Sequence, residues 1–496
     1  MPTTAELVGL RDGSLLCQRA YIDGRWVEAD SGDTFPVTDP ATGEVLGRVP
    51  HLGSAETRRA LAGAGRALGD WRGRPARDRA RILRRWSELM LEHVEDLARL
   101  MTAEQGKPLA EARGEIAYAA SFLEWFAEEG RRVYGDTIPT YDPDHRLVVV
   151  KQPVGVTVGI TPWNFPAAMI TRKAAPALAA GCTMVLKPAE QTPLSALALA
   201  VLAERAGLPP GVLSVITTPE ESVAEVGREM TASPLVRKLS FTGSTVVGKQ
   251  LMAQCAAGVK KVSLELGGNA PFIVFDDADL ESSVAGTVVC KFRNAGQTCV
   301  SANRILVQKG IYDRYVSALV DRVRRLRVAP GREPGAEIGP LIDDAALAKV
   351  QRHVDDAVTR GGELVLGGRR HDLGRTFYEP TVVVGIGDTS CIAREETFGP
   401  LAAVSVFETE EEAVRRANDT PAGLAAYFYS RDVARTWRVA EGLEYGIVGI
   451  NTPLISTEVA PFGGVKESGL GREGSKYGID DWLEIKYLNY GDIQAR

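Results

Sequence analysis

Between residues 154 and 267 the chain alternates short β-rich runs with helical ones, and this alternation restricts its fold more than any other feature. The runs "VGVTVGI" (154–160), "TMVLKP" (183–188), "GVLSVIT" (211–217), "RKLSFTG" (237–243) and "KVSLELG" (261–267) are separated by helix-like segments at 167–180, 194–206, 222–231 and 245–256. Strands and helices taken in turn build βαβ units around a mostly parallel sheet. Such sheets bind ligands beyond the carboxyl ends of their strands. A second alternation starts at "PFIVFD" (271–276) and continues through "RILVQ", "GELVLGG" and "AAVSVF", which predicts a second α/β domain. Ahead of both, residues 54–133 repeat apolar positions at three and four residues and read as helix throughout. Two stretches fit neither alternation, "HRLVVVKQP" (145–153) and "LEIKYLNYGDI" (483–493). They are expected to be strands that pair with each other or with another subunit.

The length of 496 residues corresponds to roughly three domain-sized units. A net charge of -6 and a pI near 5.7, with basic residues dispersed among acids, argue against a nucleic-acid or anionic-membrane surface. The cysteines Cys17, Cys182, Cys255, Cys290, Cys299 and Cys391 form no CxxC, and the five histidines have no metal-ligand spacing, so no metal is expected. A chain of this size needs no disulfide staples. With no signal-peptide pattern at the start and apolar runs such as "ALALAVLA" too short to span a bilayer, the expected setting is the cytoplasm.

Two glycine motifs are decoys. "GSTVVGKQ" (243–250) has Gln250 where a P-loop needs a magnesium-binding hydroxyl, although the helix it opens could still meet a phosphate. "GLGREG" (469–474) fits G-x-G-x-x-G but leaves too little chain for a βαβ unit.

Three stretches carry chemistry. "FRNAGQTCVSANR" (292–304) sets Cys299 in a polar, glycine-containing turn, the setting of a reactive thiolate with a lowered pKa rather than of a structural cysteine. "SLELGGNAP" (263–271) places Glu265 in an apolar strand, where burial would raise its pKa toward general-base use, or where it could instead be a satisfied ion pair. "ITPWNFP" (160–166) sets Asn164 between two aromatic residues at a strand end.

Together with "KPAEQTP" (187–193), "FTGS" (241–244), "EETFGP" (395–400) and "APFGGVKESGLGREG" (460–474), these stretches resemble the aldehyde dehydrogenase superfamily, most of all its succinate-semialdehyde dehydrogenase branch. The resemblance runs from about residue 20 to the end. It implies an α/β fold with a Rossmann-like cofactor domain (1–133 and 154–263), an α/β catalytic domain (264–478) and a small β oligomerisation element (134–153 and 479–496). It also implies NAD as cofactor with NADP as the alternative, while the two set-apart strands suggest homodimers or homotetramers through sheet extension.

By the same resemblance, Cys299 attacks the aldehyde, Asn164 and the backbone N–H of Cys299 hold the oxyanion, and Glu265 activates the water that cleaves the thioester. Lys187 and Glu190 correspond to adenine-ribose contacts, Gly243 and Ser244 to the pyrophosphate turn, and Glu396 to the nicotinamide-ribose carboxylate. Trp163, Leu266 and Phe398 correspond to neighbouring cofactor contacts. Glu190 would accept bonds from both ribose hydroxyls and repel a 2′-phosphate, which favours NAD. Arg172, Arg293 and Ser456 match the residues that grip the distal carboxylate of the substrate, and a guanidinium fork suits that group. Each arginine could instead pair with a local acid. One methylene is a weak discrimination, so glutarate semialdehyde stands beside succinate semialdehyde. A coenzyme A-acylating enzyme, a nucleotide hydrolase and a structural protein are the other readings; the retained Glu265 argues for water over coenzyme A. Ser301 stands where several relatives have a second cysteine, so no local disulfide lock is expected.

Overall fold

The computed structural model describes residue 6 and residues 8–493. Its first sheet has eight strands in the spatial order Gly469–Leu470, Lys261–Glu265, Val236–Thr242, Val156–Ile160, Thr183–Lys187, Leu213–Val215, Ala20–Ile22 and Arg25–Val27. The five central strands are parallel, and the additions at both edges are antiparallel. Val156–Ile160 comes first in the chain among the five, yet it lies inside the sheet with Val236–Thr242 beside it. The strand order reverses between these two, which is where a ligand crevice opens beyond the carboxyl ends.

Val156–Ile160 and Thr183–Lys187 are buried at every position, so they read as largely apolar runs instead of alternating ones. The helix Ala168–Ala180 behind them is buried at every position and ends on Gly181, which is left-handed at φ 102°. Its first turn is capped from another helix: Glu115 accepts hydrogen bonds from the backbone N–H of Ala167 and Ala168 at 2.9 and 3.2 Å.

The second sheet has seven strands, from Glu363–Leu366 through Thr381–Val384, Leu401–Phe407, Ala302–Gln308, Ala270–Val274 and Ala425–Tyr429 to Ile447–Ile450. It is parallel except for its first strand. The two strand-like stretches set apart by the sequence pair with each other: Arg146–Pro153 runs antiparallel to Leu483–Tyr490, with Asp136–Ile138 on its other side. The expected helical region 54–133 consists of four helices, Ser54–Gly73, Ala76–Glu92, Val94–Gln105 and Leu109–Glu129. Breaks fall at Pro75, at His93, and at Gly106 with Pro108; a proline ring or a left-handed glycine accounts for the first and the last.

One element crosses the division drawn from the sequence. Gly469–Leu470, placed there within 264–478, pairs with Leu264 and Glu265 and extends the first sheet. No helix among the described residues is long and apolar enough to cross a membrane.

Candidate active site

Four chain segments meet at the reversal of strand order. Asn164 follows the strand Val156–Ile160, Gly243 and Ser244 follow Val236–Thr242, Glu265 closes Lys261–Glu265, and Cys299 precedes Ala302–Gln308 in the second sheet. They line one cleft of about 300 Å³, with Trp163, Leu266, Glu396 and Phe398 also on its walls. The close approach of the Glu265 and Cys299 segments depends on Gly268, where an added Cβ would lie 2.4 Å from the carbonyl oxygen of Cys299.

Asn294 and Gln297, the side-chain amides that precede Cys299, are bonded to the backbone. They lock the turn. Asn294, Ala295 and Gly296 are all left-handed (φ 52°, 53° and 76°), a costly run for two non-glycine residues. Buried amides hold it in place. Gln105 donates to Asn294 Oδ1 at 3.1 Å, Asn294 Nδ2 donates to the carbonyls of Asn164 and Gln297, and Gln297 Oε1 accepts from Ile342 N. The same network fixes Asn164. Lys107 Nζ donates to its carbonyl at 2.7 Å while paired with Glu115, and Asn164 Nδ2 gives one hydrogen to the Gln297 carbonyl at 3.1 Å. The second amide hydrogen is not used by that bond.

The sequence predicted a lowered pKa for Cys299; the structure reverses this. Burial pushes the thiol up to about 12, and the carboxylates Glu396 and Glu265 add to the effect, while Arg172 and Arg293 oppose it. A polar sequence around a cysteine does not amount to positive charge at its sulfur.

Glu265 shows the raised pKa that burial of a carboxylate brings. It is buried, Oε2 has no hydrogen-bond partner, and burial together with the Glu473 carboxylate raises its pKa well above 4.5 against Arg172, Lys173 and Arg472. Behind it, Glu473 binds Lys173 Nζ at 2.6 Å, and Lys173 also donates to Thr242 Oγ1 at 2.7 Å.

Several features of the cleft fit a dinucleotide. Ser244 caps the helix Thr245–Ala256, but only loosely, accepting from Val247 N at 3.4 Å, so the N–H groups of that helix start remain available to an anion. Trp163 and Phe398 meet edge to face with centroids 5.5 Å apart. Glu396 accepts from Gly268 N at 3.1 Å, and burial pushes its pKa up to about 7 against that bond and the charges of Lys349 and Lys291. Lys187 and Glu190 stand outside the cleft lining, at the end of the neighbouring strand, paired at 2.9 Å.

The substrate trio is only partly as expected. Arg172 is not free: its Nε lies 2.8 Å from Glu473 Oε2 and its guanidinium packs 3.9 Å from the Phe462 ring centre. The local-acid reading therefore holds for one edge of the fork, while Nη2 is buried with no hydrogen-bond partner. Arg293 has no ion pair among the described residues and lies over Phe165 at 5.5 Å. Ser456 is half-buried and, like both arginines, stands outside the cleft lining described above.

Several residues escaped the sequence reading. Lys349 and Thr397 line the cleft. Lys349 sits on an amphipathic helix where nothing distinguishes it from a solvated lysine. Glu473 was visible only as part of a failed glycine fingerprint, and Lys107 as an ordinary loop lysine. Among the described residues no group of three or more His, Cys, Asp or Glu is arranged to hold a metal.

A thiol-bearing cleft at the switch point of a nucleotide-type sheet places the protein among oxidoreductases that combine a cysteine with a dinucleotide. The aldehyde dehydrogenase family pattern matches residues 26–488, and the chain belongs to that family. It is 63% identical over 484 residues to a glutarate-semialdehyde dehydrogenase of Pseudomonas aeruginosa, covering 98% of this chain and 100% of that one. It is 62% identical over 482 residues to the NADP(+) succinate-semialdehyde dehydrogenase GabD of Escherichia coli, covering 97% and 99%. Among solved structures, a succinate-semialdehyde dehydrogenase from Burkholderia pseudomallei matches with a TM-score of 0.96 at 61% identity, over 97% of this chain and 100% of that one. A betaine aldehyde dehydrogenase from Staphylococcus aureus in complex with NAD+ matches with a TM-score of 0.94 at 37% identity, over 97% and 96%.

Proposed function

We propose that the protein is an NAD(P)-dependent dehydrogenase of carboxylated semialdehydes that converts succinate semialdehyde to succinate. The observation that carries this reading is the pair of guanidinium groups whose charges both act on the Cys299 thiol, one with a buried nitrogen that has no hydrogen-bond partner and one that forms no ion pair among the described residues. Cationic charge felt at a reacting sulfur suits a substrate that is an anion at its far end. The names of the most similar relatives support the same class, and the Pseudomonas aeruginosa match favours glutarate semialdehyde as a second reading.

The chain's own groups would act in order. The Cys299 sulfur, once deprotonated, adds to the aldehyde carbon. The second amide hydrogen of Asn164 and the backbone N–H of Cys299 receive the oxyanion, and losing one such donor typically costs about 10²–10³ in rate. Bound along Gly243, Ser244 and Glu396, with Lys187 and Glu190 at its adenine ribose, the dinucleotide would supply a positively charged ring that takes the hydride. This leaves a thioester on Cys299. Ionised Glu265 then removes a proton from water, whose oxygen displaces the sulfur and releases the acid. Glu190 at the ribose favours NAD over NADP, because a carboxylate repels a 2′-phosphate.

The protein is placed in the cytoplasm, a reading supported by six free cysteines among the described residues. It is assigned to homodimers or homotetramers through the three-stranded sheet, whose strand Leu483–Tyr490 leaves Ile485, Tyr487 and Tyr490 exposed.

The test is a panel of succinate semialdehyde, glutarate semialdehyde and butanal, each with NAD and NADP and with or without coenzyme A. Higher kcat/KM for the two carboxylated aldehydes and independence from coenzyme A are expected. Equal efficiency on butanal would overturn the substrate assignment, and an acyl-coenzyme A product would overturn the role of water.

A further inference from the structure

The helix Leu109–Glu129 turns Tyr118, Ser121 and Phe122 toward the segment that holds Ser456 and Phe462. Ser121 Oγ lies within hydrogen-bond reach of Glu458 Oε2, at 3.2 Å. Phe122 and Phe462 flank the Arg172 guanidinium, with ring centres 5.7 and 3.9 Å away. Tyr118 meets Phe122 edge to face, centroids 5.0 Å apart at 73°. Its ring is therefore held in place, but its hydroxyl is buried without any hydrogen-bond partner. A buried O–H left unpaired is costly, and native structures rarely tolerate one without a reason.

The surroundings of that hydroxyl supply the reason. Burial raises the phenol pKa, so the group stays an O–H donor at neutral pH; the charges acting on it come from Arg172 and Arg293, opposed by Glu473 and Glu458. The same two arginines act on the Cys299 thiol. The charges of the same two guanidinium groups thus act on both the hydroxyl and the sulfur. A phenylalanine would fill this space equally well, so packing alone does not account for the oxygen.

We infer that Tyr118 is a substrate-selecting residue whose hydroxyl donates a hydrogen bond to the distal carboxylate of the semialdehyde, beside Arg172 and Arg293. The inference rests on the proposed carboxylate grip of those arginines and adds to it a neutral donor that neither motif matching nor spacing singled out. It also explains why the hydroxyl has no partner inside the protein: its acceptor arrives with the substrate.

The test compares Tyr118→Phe and Arg293→Met with the parent enzyme on succinate semialdehyde and on butanal, which has the same chain length and no carboxylate. For Tyr118→Phe the ratio of the two kcat/KM values should fall roughly tenfold or more, the loss of one bond to a charged group, and the change should lie in the KM for the semialdehyde. If Arg293→Met lowers the ratio and Tyr118→Phe leaves it unchanged, the role of Tyr118 is overturned while the arginine grip stands. If neither variant moves the ratio, the grip fails and Tyr118 with it. An equal loss on both aldehydes would make Tyr118 a packing residue and overturn the proposal.

Discussion

The state of the Cys299 thiol before catalysis is open to direct measurement by alkylation of the free enzyme. With the thiol pushed up to about 12, only about 10⁻⁴ of it would be thiolate at pH 8. An ordinary cysteine with a pKa of about 8.5 would be roughly one-quarter ionised at that pH, a difference of about three orders of magnitude. Cys299 keeps a partly open face on the cleft. Water there softens the burial penalty, so the expected deficit is at least about a hundredfold against a free thiol such as glutathione. The assay is pseudo-first-order reaction with iodoacetamide from pH 6 to 10, with Cys299 followed by peptide mass spectrometry. The rate should climb close to tenfold per pH unit without reaching a plateau. Glu396→Gln should speed the reaction by removing the charge that opposes the thiolate most, and Arg293→Met should slow it. A plateau below pH 9, or a rate equal to that of glutathione, would refute the reasoning, because the burial and carboxylate effects would then not be felt at the sulfur.

Glu265→Gln should give one burst of NADH and then stall as a thioester, visible as a mass increase on Cys299; loss of the burst itself would assign Glu265 an earlier proton transfer. Its stability effect has a definite sign. The folded-state pKa of Glu265 is raised, so folding disfavours its charge, and that cost is absent below about pH 4.5 and grows as pH rises toward the folded value. Glu265→Gln should therefore gain more stability over the parent at pH 8 than at pH 4, as read from urea midpoints. Lys107→Met leaves Glu115 buried without its cation and should cost about 3–5 kcal/mol. Lys107→Met/Glu115→Gln should recover most of it by urea titration, since the amide oxygen can still accept from Ala167 and Ala168; no recovery would mean that the pair contributes through packing.

The sheet architecture was legible because buried parallel strands and amphipathic helices differ in period over many residues. The cleft residues were legible for a different reason: Asn164, Glu265 and Cys299 each sit in a short motif that resembles the family's, which can be matched without knowing how the elements stack. The partners of those residues come from remote parts of the chain and could not be read locally. Glu473 raises Glu265 and pairs with Arg172 and Lys173, yet it lies in the short stretch 469–474 that adds its first residues to the edge of the first sheet. Lys107 and Gln105 reach the oxyanion and cysteine segments from the end of a helix whose own sequence shows only core packing.

The mistaken expectation for the thiol has the same origin. Asn294, Gln297 and Thr298 made the turn look electrostatically active, but two of them are spent on holding three left-handed residues in place, and Thr298 Oγ1 has no partner. The pKa at the sulfur is set instead by burial and by four charges, Glu396, Glu265 and Arg172 on other segments and Arg293 at the start of the same turn. An uncharged polar turn can fix where a sulfur sits without ionising it. Ionisation must then come from a change in the surrounding charge. The cleft holds two carboxylates that oppose the thiolate in the free enzyme, so a cation brought between them would lower the thiol pKa as it binds. Alkylation should therefore accelerate on addition of saturating NAD+, and acceleration that survives in Glu396→Gln/Glu265→Gln would show that the carboxylates are not what the cation offsets.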